Sequence, residues 1–276
     1  MGKIKLVIIA IFLLLFLSGC FQIERVINVN KDGSGTIEET VLMSQEFINQ
    51  IKQMATSFGG GEIEENKDES TYHNVDDLKK QALKMGDGVK YVSSKPLERD
   101  GKLGHYVLYS FNDITKIKID ENPADNMMGS PGMGEDKEDM YFKFKKGKTS
   151  ELTIIFPQVD DEQDINEEDI KYVNEVEDVS SVSDQDIKMM KAMYAGMKIS
   201  VKVIVDGKIV DTNATHKDGN VVTLSEMDFD VIMNNEEAFK ALSGSKEATD
   251  EEMKISMQKF KGFKADMNEE VVIKFK

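Results

Sequence analysis

The sequence predicts an α+β fold, in which antiparallel β-hairpins carry helices packed on one face. Two kinds of pattern predict it. Short apolar stretches alternate with a period of two on both sides of glycine turns, at residues 32–35, 100–101 and 146–147. Other stretches place an apolar residue at every third or fourth position, as on one face of a helix.

The first half of the chain is predicted to hold three hairpins and two helices. Ser44 and Asn74 are suitable N-cap residues, and they open helices expected over residues 44–58 and 74–85. A loop rich in glycine, methionine and acidic residues is expected over residues 122–139. The paired strands are residues 21–30 with 36–43, 89–97 with 103–111, and 140–144 with 152–156.

The second half is predicted to begin with an acidic connector and to end on a strand. Ser183 is expected to cap a helix that carries Met197 near its end. Thr249 and Glu252 form a capping box that opens a second helix. The predicted strands are residues 199–205, 208–211, 221–224 and 271–275.

Length and composition allow one large domain or two small ones. The chain has 276 residues and a single cysteine, so an internal disulfide is excluded and stability must come from burial. The elements favour two α+β lobes on either side of the connector. The expected divisions are a leader over residues 1–19, a lobe over 20–157, the connector over 158–183 and a lobe over 184–276.

The first twenty residues form the most distinctive motif of the chain. Two lysines precede an apolar run over residues 6–17, and the run closes on Leu17, Ser18, Gly19 and Cys20. This is the layout of a secretory signal with a small-residue cleavage site. A transmembrane helix needs about 20 apolar residues, and an ordinary secreted chain would carry an unpaired thiol.

The Leu-Ser-Gly-Cys ending resembles a bacterial lipobox. The resemblance implies that residues 1–19 are a signal peptide and that Cys20 is acylated, which tethers the mature chain to a membrane of the cell envelope. Each buried methylene of an acyl chain contributes about 0.8 kcal/mol, and two or more chains make the attachment stable. Because Phe21, and not aspartate, follows Cys20, the resemblance to sorted lipoproteins implies the outer membrane in a Gram-negative host.

The mature chain is expected to be strongly acidic. The sequence has 35 Lys and Arg against 51 Asp and Glu, and removal of Lys3 and Lys5 leaves 33 against 51, a balance of −18. Such a chain is repelled by nucleic acid and by anionic lipid surfaces. We therefore expect no nucleic-acid partner, and a chain tethered through acylated Cys20 without lying flat on the membrane.

No motif predicts a cofactor, a metal site or a reaction. Residues 30–38 resemble the start of an EF-hand loop, but Val41 stands at position 12, where the loop needs Glu. We interpret them as a hairpin turn. Met189, Met193 and Met197 could hold Cu(I), although packing on a buried helix face is the ordinary role of such a row. The three histidines have no ligand spacing between them: His73, His105 and His216.

Residues 20–111 combine a lipobox cysteine, a strand, an Asp-Gly-Ser-Gly turn, a second strand and an amphipathic helix. In this order they resemble the LppM-type lipoprotein domain of bacterial envelopes, with an echo over residues 199–224. The resemblance implies an α+β domain with an apolar groove for lipid or glycolipid. It assigns no binding residue in this chain.

Three classes of function remain open, and we favour a non-catalytic one. The first is a tethered binding or assembly module, which holds a lipid, glycan or protein between the sheet and the helices over residues 44–58 and 74–85. The second is an envelope hydrolase with a dispersed active site, which perturbed acids or a histidine in a pocket would reveal. The third is a structural surface lipoprotein without a pocket. We expect a binding module because an enzyme of this length more often leaves a motif.

Overall fold

A computed structural model describes residues 21–45, 47–49, 72–120, 123, 139–157, 191, 194–243 and 255–276. The strands in chain order are β1 (Phe21–Val29), β2 (Gly35–Ser44), β3 (Lys90–Arg99), β4 (Lys102–Phe111), β5 (Lys118–Asp120), β6 (Asp139–Lys145), β7 (Ser150–Ile155), β8 (Lys198–Val205), β9 (Ile209–Thr212), β10 (Lys217–Asp218), β11 (Val221–Asp228), β12 (Phe263–Ala265) and β13 (Glu270–Phe275). The helices are α1 (Val75–Lys84), α2 (Phe229–Met233) and α3 (Glu236–Ser243), with a 3₁₀ helix at Ile114–Lys116.

The larger sheet is built around the predicted hairpin of β1 and β2. Its strands lie in the order β10-β11-β8-β1-β2-β4-β3, and β12 also pairs with β11. The turn between β1 and β2 is closed because the Asn30 N–H donates to the Ser34 carbonyl oxygen over 2.8 Å. This turn fixes the antiparallel register, in which Arg25 lies opposite Glu39. On its other side, β1 pairs in parallel with β8, a strand from far along the chain.

The smaller sheet covers half of the inward face of the larger one. Its strands lie in the order β5-β6-β7-β13-β9, and β6 with β7 is the third predicted hairpin. The facing side chains of the two sheets form one continuous apolar core, to which α1 adds Leu78 and Ala82. Core residues contributed by the sheets include Ile27, Ile37, Val107, Val203, Phe142, Ile154 and Ile273.

The predicted α+β class, with helices packed on one face of the hairpins, is wrong. The described residues are mostly β-sheet, with 53% of them in strands and 19% in helices, and the strands form two sheets. A period-two pattern identifies a strand and its apolar face, but it does not say whether a helix or a second sheet will cover that face. Strands from both sides of the connector share each sheet, because β8 pairs with β1 and β13 pairs with β7. The connector itself, residues 158–183, lies outside the described residues.

The predicted helices had different outcomes. The helix expected over residues 74–85 is confirmed as α1, and the Asn74 side chain caps it by accepting from the Asp76 N–H over 3.1 Å. The helices expected over residues 44–58, from Ser183 and from Thr249 fall largely outside the described residues. The helices α2 and α3 were not predicted.

A second apolar cluster lies at the start of β1. Phe21 and Ile23 of β1 and Met43 of β2 pack there against Phe229 of α2 and other side chains. The ring of Tyr194 stacks on that of Phe229, with centroids 5.2 Å apart. The inward face of the large sheet therefore packs against the small sheet over one half, and side chains of α2 contact part of the other half.

Candidate functional site

A cleft of about 950 Å³ opens on the inward face of the large sheet. The helix α1 forms one wall, and β5 with Asp139 of β6 forms the other. A volume of this size is typical of small-molecule sites. The floor consists of inward-facing side chains of β1, β2 and β4: Ile23, Arg25, Glu39, Val41, Met43 and His105.

Arg25 and Glu39 form a buried ion pair in this floor. Arg25 donates to Glu39 Oε2 through Nε at 2.8 Å and through Nη2 at 2.6 Å. The two residues are only 2% and 4% exposed. The pair marks the boundary between the two apolar clusters, because Ile23 of the second cluster and Ile27 of the first flank Arg25 on β1.

Further hydrogen bonds tie this pair to both walls of the cleft. Arg25 Nη1 donates to the carbonyl oxygen of Asp120 in β5 over 3.1 Å. Gln81 of α1 donates through Nε2 to Glu39 Oε1 over 3.2 Å. The Tyr109 hydroxyl donates to Gln81 Oε1, also over 3.2 Å. Buried charges persist only when their hydrogen-bonding capacity is met, so this network holds both walls against the floor.

The ionisation of Glu39 follows from these contacts. Burial by itself raises the pKa of the Glu39 carboxyl, because a charge is costly away from water. The Arg25 guanidinium, together with the hydrogen bonds from Arg25 and Gln81, outweighs burial and holds that pKa below its ordinary value. Glu39 is therefore a carboxylate at neutral pH, and its charge is already matched by Arg25.

His105 offers an unused hydrogen-bond acceptor in the cleft floor. Its Nδ1 lies 2.6 Å from the Tyr72 carbonyl oxygen, which can only accept, so Nδ1 carries the proton of the neutral ring. Nε2 is then an acceptor, and it is buried without a hydrogen-bond partner among the described residues. Burial lowers the pKa of His105, although the Tyr72 carbonyl and Glu39 oppose this. The ring is consequently neutral at pH 7.

The rim of the cleft combines an apolar side chain with charged ones. Leu83 of α1 lines the cleft and is 77% exposed. Lys80 pairs with Asp77 on the same helix at 2.8 Å, and Lys118 pairs with Asp139 between β5 and β6. An apolar floor beneath a charged rim suits an amphipathic ligand better than a wholly polar one.

The structure describes some of the site residues predicted from the sequence, and others lie outside the described residues. Cys20, the predicted acylation site, lies outside the described residues, directly before β1. The EF-hand-like segment is a hairpin turn, in which Asp32 accepts from the Ser34 N–H at 3.0 Å and from its hydroxyl at 2.6 Å. Of the methionine row, Met197 is buried in the second apolar cluster, and Met189 and Met193 lie outside the described residues.

The fold brings two of the three histidines together. His73 and His105 have ring centroids 6.3 Å apart, although 31 positions of the chain separate them. His73 Nε2 lies 2.8 Å from the Ser94 hydroxyl. His216 lies elsewhere, where its Nε2 is 3.2 Å from the side-chain oxygen of Gln258.

Sequence reasoning missed Arg25 and Glu39, although a signal was present. Each residue interrupts the apolar face of a predicted strand, between Ile23 and Ile27 or between Ile37 and Val41. The predicted turn between these strands already fixes the register that sets Arg25 opposite Glu39. Two opposite charges facing each other at apolar positions predict a buried ion pair.

Two further features bear on function. Within the described ranges, no group of three His, Cys, Asp or Glu side chains could hold a metal ion. In the same part of the chain, no helix is both long and apolar enough to cross a membrane.

Comparison with known proteins gives a distant likeness among solved structures. No family model matches the chain, and no curated protein matches it. Among solved structures, it is similar to the NMR structure of the folded domain of LppM from Mycobacterium tuberculosis, at 12% identity and a TM-score of 0.30, over 76% of this chain and 84% of that one. The sequence of residues 20–111 predicts a resemblance to this type of domain. A likeness at this level establishes neither a shared fold nor a shared function.

Proposed function

We propose that this chain is a bacterial envelope lipoprotein, anchored through acylated Cys20, whose cleft binds a lipid or glycolipid without chemical conversion. The anchor rests on the lipobox-like pattern of residues 1–20. In a Gram-negative host, Phe21 after Cys20 favours the outer membrane. The binding role rests on the cleft, and the two parts can be tested separately.

The observation that carries the binding role is the division of the cleft between apolar and polar side chains. Ile23, Val41 and Met43 form an apolar floor, on which an acyl chain would bury its methylenes at about 25 cal/mol per Å². The Arg25–Glu39 pair lies at the end of this apolar floor, and hydrogen bonds hold its polar groups in place. A fixed polar group beside an apolar surface orients an amphipathic ligand.

The pairing and protonation of Glu39 and His105 support a non-catalytic function. Glu39 is matched by Arg25 and has a lowered pKa, so it is poorly suited to general acid catalysis, for which a raised pKa is the usual preparation. His105 donates through Nδ1 to a backbone carbonyl, where a catalytic histidine would usually be oriented by a carboxylate.

Binding can be tested with a fluorescent long-chain fatty acid and the soluble chain of residues 21–276. We expect saturable binding that falls severalfold in Leu83→Ser, since this exposed side chain lines the cleft and a fully buried Leu contributes about 1.5–3 kcal/mol. The matched control is Ile255→Ser, an apolar side chain that is 57% exposed and does not line the cleft. Absence of saturable binding, or an equal loss in both variants, would contradict the proposal.

One contact favours a hydrolase as a second candidate function. The Ser94 hydroxyl lies 2.8 Å from His73 Nε2, a distance at which a histidine can activate a serine. The Tyr91 hydroxyl also lies 2.7 Å from Ser94 Oγ. A fluorophosphonate probe that labels the wild-type chain but not Ser94→Ala would support a hydrolase, and an unlabelled wild-type chain would exclude a reactive serine of this kind.

A further inference from the structure

The two ends of the cleft differ in polarity. At one end the backbone N–H of Lys118 donates to the carbonyl oxygen of Met85 over 2.8 Å, which joins the last turn of α1 to β5. Lys84 and Lys118 therefore line the same end of the cleft. Arg25 reaches this end as well, through its hydrogen bond to the Asp120 carbonyl.

The opposite end is apolar and lies close to the start of β1. Ile23 pairs with Val41, and Phe21 pairs with Met43. Ile23 follows Cys20 by three residues, so an extended chain places it within roughly 10 Å of the predicted acylation site. The apolar end of the cleft is thus its membrane-proximal end if Cys20 is acylated.

One charged side chain in the cleft differs from all the others. Eight charged residues line it, and seven are engaged: Arg25 with Glu39, Lys80 with Asp77, Lys118 with Asp139, and Asp120 in an interaction of its own. Lys84 makes no ion pair with a described residue and is exposed. Lys84 is therefore the lysine of the cleft that has no ion-pair partner among the described residues, and it lies at the polar end.

We propose that the cleft binds an amphiphile with an acyl chain and an anionic head, in one orientation. The head lies between Lys84 and Lys118, where a cation is unmatched, and the chain runs over Ile23 and Val41 to Met43. This inference rests on the proposed binding function, which it extends to the charge of the ligand head and the direction of its tail.

Orientation can be measured by photo-crosslinking with the full-length chain in phosphatidylcholine nanodiscs. Two fatty acids are compared, one with a diazirine at the methyl end and one with a diazirine beside the carboxylate. We expect the first to label peptides that contain residues 41–43 and the second to label peptides that contain Lys84 or Lys118. A reversed pattern, or the same pattern for both probes, would overturn the orientation.

The charge of the head is tested separately by Lys84→Glu. Affinity for the fatty acid should fall about fivefold or more, because loss of about 1 kcal/mol is a factor of five, and affinity for the alcohol of equal chain length should not change. The control is Lys79→Glu, which alters a lysine one turn earlier that pairs with Asp76 and does not line the cleft. An unchanged affinity for the acid, or an equal loss for the alcohol, would overturn the anionic head.

Failure of this inference is distinguishable from failure of the binding function. If the wild-type chain binds the acid and the alcohol equally, the cleft is a binding site but the anionic head is wrong. If it binds neither, the proposed binding function is wrong, and the orientation and head charge fall with it.

Discussion

The inward face of the β1–β2 hairpin has two halves that are alike in composition but differ in what packs on them. Ile27, Val29 and Ile37 lie under the small sheet and are at most 1% exposed. Ile23, Val41 and Met43 lie in the cleft floor and remain 2%, 5% and 7% exposed. Nothing in the residue types separates these halves, so the difference comes from what packs on them. The covered half lies between the two sheets, and the open half, which also contacts Phe229 of α2, lines the cleft.

The Arg25–Glu39 pair separates the two halves and has the largest predicted effect. Glu39→Leu should lower the free energy of unfolding by about 3–5 kcal/mol, because Arg25 would keep a buried charge without a partner. Chemical denaturation measures this. Glu24→Gln is the control on the neighbouring strand β1, since Glu24 is half exposed and pairs with Lys202 at the surface, and it should cost less than about 1 kcal/mol. Equal losses in the two variants would contradict the buried-pair account.

The double variant Arg25→Met with Glu39→Leu sharpens this prediction. Apolar replacement of a whole buried ion pair is often neutral, so we expect most of the stability lost in Glu39→Leu to return. Ligand binding should still weaken, because the floor of the cleft would lose its fixed polar groups. A double variant no more stable than Glu39→Leu would argue against an uncompensated charge as the cause.

The two halves can be compared directly by making the same substitution, Ile to Ala, at two positions of β1. Ile27→Ala in the covered half should cost about 2–5 kcal/mol, since a cavity would remain between the sheets. Ile23→Ala in the cleft half should cost less, because a ligand or water can occupy the space. Fatty-acid binding should show the reverse order, with the larger loss in Ile23→Ala. Denaturation measures the loss of stability in the two variants, and fluorescence titration measures their loss of fatty-acid affinity. If the same variant showed the larger loss in both measurements, the distinction between the halves would be wrong.

Gln81 joins the pair to α1, and its removal should have a smaller effect. Gln81→Ala removes the hydrogen bonds to Glu39 and Tyr109, for an expected loss of about 1–2 kcal/mol. Gln45→Ala is a control, because Gln45 bonds only an exposed neighbour, Asn49, and should change stability little. If the denaturation curves of the two variants coincided, the hydrogen bonds of Gln81 would not be what holds α1 against the floor of the cleft.

The smallest predicted effect is the pH dependence from His105. Its pKa in the folded chain lies below the ordinary value of 6.5, so the unfolded chain binds a proton first as the pH falls. Stability should therefore decrease as the pH falls below about 6.5, and this decrease should end below the folded pKa. His105→Asn should flatten the dependence below about pH 6.5. Identical profiles for the wild type and His105→Asn would contradict the assignment.

Local sequence patterns predicted the hairpins, but they could not predict pairing between strands that are far apart in the chain. The turn at Asp100 and Gly101 has positive φ at both residues, 53° and 73°, and it fixes β3 against β4 as predicted. The parallel pairing of β1 with β8 joins residues about 175 positions apart, and no local signal carries such a contact. One wall of the cleft depends on the position of β5, which no local pattern indicates, so only α1 and the part of the floor formed by β1 and β2 could be predicted.

The most direct test of the open half of the hairpin is native mass spectrometry of residues 21–276, purified from an extract of its own cell envelope. We expect an adduct with the mass of a lipid or glycolipid, which Ile27→Val retains and Ile23→Ala loses or reduces. A clean mass for the wild-type chain, with no shift after envelope lipids are added, would contradict a lipid-binding cleft.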